Sequence, residues 1–328
     1  MAKKPIIVSG IQPTGNLHVG NYLGAVKNWV ELQNSGKYEM YIFIADLHSL
    51  AGNMTAKERH EQIIRTSAEL ISAGIDPEKT TLFVQSHVVE HTELAWIFST
   101  VTPISELERM TQFKDKSQQQ LKNINTGLFT YPILQASDIL LYGGQMVPVG
   151  QDQIQHVELT RDIAKKFNKK FGKFFPETKH LLTEIPKVMS LLEPEKKMSK
   201  SLGEGHVIEL ADEPNVIEKK LKKAVTANSG GEGAPGVQNL LLLLKQFGSE
   251  ADYKKFEKAE KDGSIRYGDL KKEASNAVAE YFAEFREKRN ELMMNHDEIA
   301  EILIAGADKA KPVASKTMDS VRKLVGIR

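Results

Sequence analysis

Two segments far apart in the chain carry side chains suited to phosphate. The first, Ser9-Gly10-Ile11-Gln12-Pro13-Thr14-Gly15-Asn16-Leu17-His18-Val19-Gly20-Asn21, lies between a strand-like run and the first helical pattern. A helix that begins there turns unpaired N–H groups and the positive end of its dipole toward an anion. Gly10 and Gly20 permit close backbone approach, and His18 and Asn21 are short polar groups able to reach phosphate oxygens. Alone this is an ordinary glycine-bearing turn, and it matches neither the G-x-G-x-x-G fingerprint nor the Walker loop. The second segment, Lys197-Met198-Ser199-Lys200-Ser201 with Leu202-Gly203 after it, sets two cations among hydroxyls in a loop. That suits a polyphosphate whose charge grows as pyrophosphate leaves, although Lys-x-x-Lys by itself describes many basic surface loops.

A third segment runs from Thr130 to Tyr142. Tyr131, Gln135 and Asp138 are spaced four and three apart, so on a helix they share one face. A phenol, an amide and a carboxylate there could hold an ammonium group and one further donor, such as an indole N–H. Ile133, Leu134, Ile139, Leu140 and Leu141 mark the helix as largely buried, and buried polar groups need partners. Pro132 suits a first helical turn, so the helix is predicted to begin near it.

The elements that must position these segments follow a strand–helix–strand rhythm. Ile6-Ile7-Val8, Tyr41 to Ala45, Leu82-Phe83-Val84 and Met146 to Val149 read as strands. Asn21 to Leu32 and Ala56 to Ala73 read as helices, the second stopping at Gly74. Fully apolar strands alternating with helices predict an α/β fold, a parallel sheet covered on both faces. His91 to about Lys122 is mostly helical. Beyond about Glu204 the pattern offers no strand, only helices predicted over Asn215–Val225, Gln238–Phe247, Ala251–Glu260, Leu270–Asn290 and His296–Val325.

At 328 residues, 41% hydrophobic and 27% charged, the chain has the composition of a globular protein of more than one structural part. No apolar run approaches the roughly 20 residues of a membrane helix, and Met1-Ala2-Lys3-Lys4-Pro5 passes into a strand without the apolar core of a signal peptide. With no cysteine, disulfides and thiolate metal sites are excluded, and a cytoplasmic location is expected. A net charge of +1 gives no whole-chain attraction to nucleic acid. RNA binding would use local runs such as Lys165 to Lys170, Lys219 to Lys223 or Lys309 to Lys323, each of which is ordinarily a solvated helix face. His60-Glu61 lacks the second histidine of a zinc-protease helix, and no metal site is expected.

Together the phosphate-suited segments resemble the paired signatures of class I aminoacyl-tRNA synthetases. His18-Val19-Gly20-Asn21 is similar to the HIGH motif with Asn as its last residue, and Lys197 to Ser201 matches KMSKS at every position. The resemblance implies a Rossmann-like parallel-sheet catalytic domain over 1–205 with a helical connecting insert at approximately 60–125, then an all-helical anticodon-binding domain over 206–328. Val147 to Asp162, Glu106 to Lys116, Gly10 to Gly15 and Gly306-Ala307-Asp308-Lys309-Ala310 resemble the tryptophanyl-tRNA synthetases in particular.

That resemblance implies ATP, with Mg²⁺, and L-tryptophan and tRNA(Trp) as substrates, and a homodimer. It places Gln12, Pro13, Thr14, Gly150, Gln151, Asp152 and Val188 at ATP, with Gly20 and Asn21 at its phosphates. His18, Asn21, Lys197 and Lys200 would carry the catalysis, and Met198, Ser199 and Ser201 complete the lysine loop. Asp138 would take the indole N–H, Tyr131 and Gln135 the amino end, with His48 and Gln153 also at the substrate. The Ser229 to Gly236 loop looks short and glycine-rich for the family. A tyrosine–tRNA ligase is the nearest alternative, since the same helix face could bind a phenol. A non-catalytic RNA-binding relative is disfavoured by the intact Lys197–Ser201 segment.

Overall fold

The computed structural model describes residues 4–111, 125–150, 153–182, 187–226 and 233–327. Five strands form one sheet: β1 (Ile6–Ile11), β2 (Glu39–Ile44), β3 (Thr81–Val84), β4 (Met146–Val149) and β5 (Lys179–Leu182). Their order is β3-β2-β1-β4-β5 and every pairing is parallel. β1 and β2 pair from Ile6 with Glu39 to Ile11 with Ile44. These strands are mostly apolar and, apart from the end of β1, largely buried, as helices on both faces of a parallel sheet require. The sheet is the Rossmann-like one that the sequence predicts, with β5 added. That strand carries Lys179 and His180, so it lacks the apolar run that marks the others.

By its contacts the chain divides into two compact units, each discontinuous in sequence. The first comprises 1–15, 28–183 and 295–328, and contains the sheet. The second comprises 16–27 and 184–294. Within 60–125, where a helical insert is expected, Thr81–Val84 is β3 of the sheet. Among the described residues the helices Glu90–Ser99 and Ile104–Glu108 follow it.

Local chemistry sets the helix ends. Thr55 and Glu58 form a capping box at the start of Ala56–Ser72, and Gly74 takes the positive φ that ends it. The helix bearing Tyr131 and Asp138 spans Thr126–Leu140, six residues earlier than Pro132 predicts. Asn125 caps it, its side chain accepting the Leu128 N–H, so Pro132 lies inside the helix. The run predicted as Leu270–Asn290 is two helices, Tyr267–Tyr281 and Ala283–Met294, broken at Phe282. In the second unit the helices Pro214–Lys223 and Pro235–Phe247 both pack on Tyr267–Tyr281.

The closing helix, His296–Val325, returns to the first unit and lies against β3. There Ala307, Ala310, Ala314, Met318 and Val321 join the core that also holds Phe83, Phe98 and Phe167. Gly306 makes this approach possible, since a Cβ there would stand 1.8 Å from the Leu82 carbonyl oxygen. Gly306→Ala is therefore expected to lower the stability of the first unit by at least ~1–3 kcal/mol, the usual cost of overpacking. A urea melt followed by the signal of that unit checks this, and an unchanged midpoint would contradict the packing.

Candidate active site

In the second unit the chain enters a helix at Val19–Asn21 and continues through a π turn at Tyr22–Val26. His18 and Asn21 form a reciprocal cap at its start. The His18 Nδ1 accepts the Gly20 N–H at 3.1 Å, and the Asn21 Oδ1 accepts the His18 N–H at 3.2 Å. With Nδ1 an acceptor, the neutral ring carries its hydrogen on Nε2. Burial, then the charges of Lys200 and Lys197 against the opposing pull of Glu209, lowers the His18 pKa to about 4. At neutral pH this residue is a donor without charge.

The lysine loop lies against this helix start. Met198 pairs with Val188 through its backbone N–H, and its Cβ would lie 3.6 Å from a Cβ on Gly20. Val188 and Met198 are buried and Lys197 is exposed. Ser199 caps the short turn Lys200–Leu202 and shares a hydrogen bond with Ser201. The Lys200 ammonium donates to the Asn16 carbonyl and pairs with Glu209 at 3.4 Å, while the Asn16 amide donates to Glu209 at 2.6 Å. Burial works against ionising Glu209, but Asn16, Lys200 and Lys220 together hold its carboxyl below the usual range. Backbone bonds from Val19 to Ile208 and from Leu210 to Leu17 fix Glu209 beside His18.

In the first unit Asp138 is fully buried. Its Oδ1 accepts from Gln85 Nε2 at 2.7 Å and from His91 Nδ1 at 2.6 Å, and its Oδ2 accepts from His48 Nε2 at 2.8 Å. Burial pushes this carboxyl up, but the bonds from His48 and His91 outweigh it and hold the pKa at about 2. Asp138 is thus an ionised acceptor. The His48 ring stands between it and Tyr131, 6.2 Å from the Tyr131 ring centre to centre. Tyr131 bonds His156 at 2.8 Å, and burial raises its pKa to about 12. Gln135 and Gln153 are half-buried.

His18, Gly20, Asn21, Val188 and Lys197 to Ser201 lie within one unit, and Asp138, His48 and Tyr131 meet in the other. Gln12, Pro13, Thr14 and Gly150 follow strands of the first unit; Gln12 and Thr14 are exposed there. Gln151 and Asp152 lie outside the described residues, as do Gln112 to Lys116 and 229–232 of the glycine-rich loop. Gly10 has a different use from the one its position suggests, because a Cβ there would stand 2.5 Å from the Phe43 ring. Gln85, His91, Tyr142, His156, Asn16 and Glu209 escaped the sequence reading. Each meets its partner across a long stretch of chain, and no local spacing signals that.

A parallel sheet in this order, a histidine–asparagine-capped helix start and a Lys-Met-Ser-Lys-Ser loop beside it are the parts of a class I synthetase. The family model for tRNA synthetases class I (W and Y) matches residues 1–283. The chain belongs to that family. It is 43% identical to the tryptophan–tRNA ligase of Helicobacter pylori strain J99, covering 99% of both chains, and 45% identical to that of Oceanobacillus iheyensis, covering 98% of both. Among solved structures it is similar to the tryptophanyl-tRNA synthetase of Campylobacter jejuni complexed with ADP and tryptophan. The TM-score is 0.86 at 35% identity, over 98% of this chain and 99% of that one.

The lowered pKa of His18 gives stability a pH dependence. The folded state prefers the neutral ring, so its contribution is complete above about pH 6.5 and declines as pH falls toward about 4, where the folded-state ring also protonates. Urea melts of wild type and His18→Gln across this window should show the wild-type advantage shrinking by on the order of 3 kcal/mol. A gap that stays constant would mean that the ring takes up its proton as readily in the folded protein as in the unfolded chain.

Proposed function

We infer that this chain joins L-tryptophan to tRNA(Trp) in two steps at the expense of ATP. The carboxylate of tryptophan attacks the α-phosphorus; the new O–P bond gives tryptophanyl-adenylate, and the broken one releases pyrophosphate. A terminal ribose hydroxyl of the tRNA then attacks the activated carbonyl and AMP departs. The observation that carries this reading is the lysine loop seated on the capped start of the Val19 helix. It joins donors of two kinds, a neutral imidazole with backbone amides and a pair of ammonium groups, as a separating pyrophosphate needs. The full-length relatives named above are tryptophan–tRNA ligases, which favours this over the tyrosine reading.

The first step asks for little proton transfer. The protein aligns the nucleophile and stabilises charge. His18 donates from Nε2 and Asn21 supports the helix start at the phosphates, with Gly20 admitting them. Lys197, exposed, and Lys200, which must exchange Asn16 and Glu209 for phosphate oxygens, take up the growing negative charge. Met198, Ser199 and Ser201 shape their loop. Gln12, Pro13, Thr14, Gly150, Gln151, Asp152 and Val188 serve the nucleoside part of ATP. Asp138 receives the indole N–H, while Tyr131, Gln135, His48 and Gln153 surround the amino acid.

Mg²⁺ would enter on the triphosphate. Among the described residues no group of three or more His, Asp or Glu that could hold a metal is gathered. Residues 206–328 would supply the tRNA contacts, although their closing helix also completes the first unit. Val89, Trp96 and Ile104 are 72%, 73% and 67% exposed. So large an apolar exposure around the Glu90–Ser99 helix fits a homodimer interface on the first unit. Among the described residues no helix is long and apolar enough to cross a membrane. tRNA charging for the ribosome places the enzyme in the cytoplasm.

Tryptophan-dependent ATP–pyrophosphate exchange tests the reading. Lys200→Ala should slow exchange by ~10²–10³-fold, the range for losing one charge-stabilising donor, with little change in the KM for tryptophan. An unaltered rate would remove Lys200 from the mechanism. Across a panel of amino acids wild type should respond to tryptophan far above tyrosine and phenylalanine. Asp138→Ala should lose most of its margin over phenylalanine, and equal discrimination by the variant would refute the indole role.

A further inference from the structure

The oxygens of Asp138 are not equivalent, and the difference traces to a histidine with no part in the reading above. Oδ1 already accepts two hydrogens, from Gln85 and from His91, while Oδ2 accepts one, from His48. A carboxylate oxygen has room for two such bonds, so only Oδ2 has a position left. His48 shares that oxygen, and its side chain is 7% exposed against 1% for Asp138, so Oδ2 lies toward the approachable side. His91 has no exposure, and its other nitrogen, Nε2, meets the Tyr142 hydroxyl at 2.8 Å.

The two ends of this chain of bonds fix its direction. Asp138 is ionised and can only accept. Burial, then the charge of Asp138, raises the Tyr142 phenol far above its ordinary value, so it keeps its proton. The arrangement that uses every group has Tyr142 donating to Nε2 and His91 donating from Nδ1 to Oδ1. Packing holds the two rings in place: Tyr142 stacks on Tyr41 with ring centres 4.7 Å apart, and the His91 ring lies 5.9 Å from Phe43 and 6.2 Å from Phe83. The Ser137 hydroxyl bonds the His91 carbonyl at 2.6 Å, tying the backbone of His91 to the neighbour of Asp138. Gln85 is oriented likewise, because its carbonyl oxygen accepts the Leu47 N–H at 3.2 Å and so turns its amide nitrogen to Asp138.

We propose that His91, its tautomer set by Tyr142, is a positioning residue for side-chain selection: it occupies Oδ1 so that Asp138 presents Oδ2 to the N–H of the bound amino acid. The proposal rests on the indole role of Asp138. It makes selectivity for an N–H depend on a donor at the Nδ1 position of residue 91, and not on the bulk of that residue.

Two variants separate these. An asparagine at 91 can place its amide nitrogen near the Nδ1 position, whereas the longer glutamine reaches toward Nε2 and fills more of the ring's volume. The readout is the ratio of kcat/KM in pyrophosphate exchange for tryptophan against its benzothienyl analogue, in which sulfur replaces the N–H. His91→Asn should stay within about threefold of the wild-type ratio, and His91→Gln should lose about 10- to 100-fold, the worth of one hydrogen bond to a charged group. The KM for ATP should hold in both. A ratio preserved in His91→Gln, or lost equally in both variants, overturns the proposal. Asp138→Ala, run alongside, reports on the underlying reading, since a ratio that survives removal of both oxygens shows the carboxylate does not meet the N–H at all. Should the variants fail to fold, histidine ¹⁵N spectra of the wild-type protein decide the matter, with Tyr142→Phe identifying the His91 signals. A hydrogen on Nδ1 with Nε2 bare supports the assignment, and the opposite tautomer or a doubly protonated ring refutes it.

Discussion

A carboxylate withdrawn from water stays ionised only where the protein replaces the lost hydration with donors. Asp138 meets that demand with three side chains from three places in the chain, and the architecture of the first unit follows from bringing them together. His48 follows the end of β2, Gln85 follows the end of β3, and His91 lies in the helix Glu90–Ser99 just beyond. Parallel pairing of β2 with β3 sets the first two at neighbouring strand ends, the place where ligands bind in open α/β sheets. The helix Thr126–Leu140 then delivers Asp138 to them. Removing any one donor would leave a buried charge short of a partner, so the site's chemistry and the unit's stability depend on the same bonds.

The second unit handles charge in the opposite manner. Its His18 is kept neutral by burial and by nearby lysines, so at the helix start it contributes direction without adding charge. The cations sit on the loop instead, where Glu209 and Asn16 engage one of them. Lys200 therefore has an alternative partner of nearly full charge close at hand. On the proposed mechanism, phosphate must compete with that partner.

Legibility in the sequence tracked the range of the interaction concerned. The His296–Val325 helix was readable end to end, because Asn295 and Gly326 close it locally and Pro312 did not break the apolar spacing. The His18–Asn21 pair was readable as a helix start, since its bonds span only three residues. Pro132 misled, because the cap that starts its helix is Asn125, a residue whose role depends on backbone geometry that composition does not show. Phe282 gave no sign of a break, being neither glycine nor proline. β5, with Lys179 and His180, is too polar to stand out, and it is a strand because β4 pairs with it. The Asp138 helix face was legible, but not the partners that saturate it: Gln85 and His91 lie 53 and 47 residues away from it in sequence. The comparisons supply family membership, and the long-range bonds come from the structure alone.

The return of the His296–Val325 helix to β3 has a consequence for how the protein is made. β3 is the outer strand on its side of the sheet, and the helix that lies against it is the last element of the described chain. During synthesis at ~5–20 residues per second, that strand waits many seconds for its cover. Nascent chains therefore pass through a stage with an apolar strand edge open to pairing. Ribosome stalling after β5 but before residue 296 would leave a chain whose strands are all made but whose β3 is unshielded, a ready substrate for holdase chaperones and for aggregation.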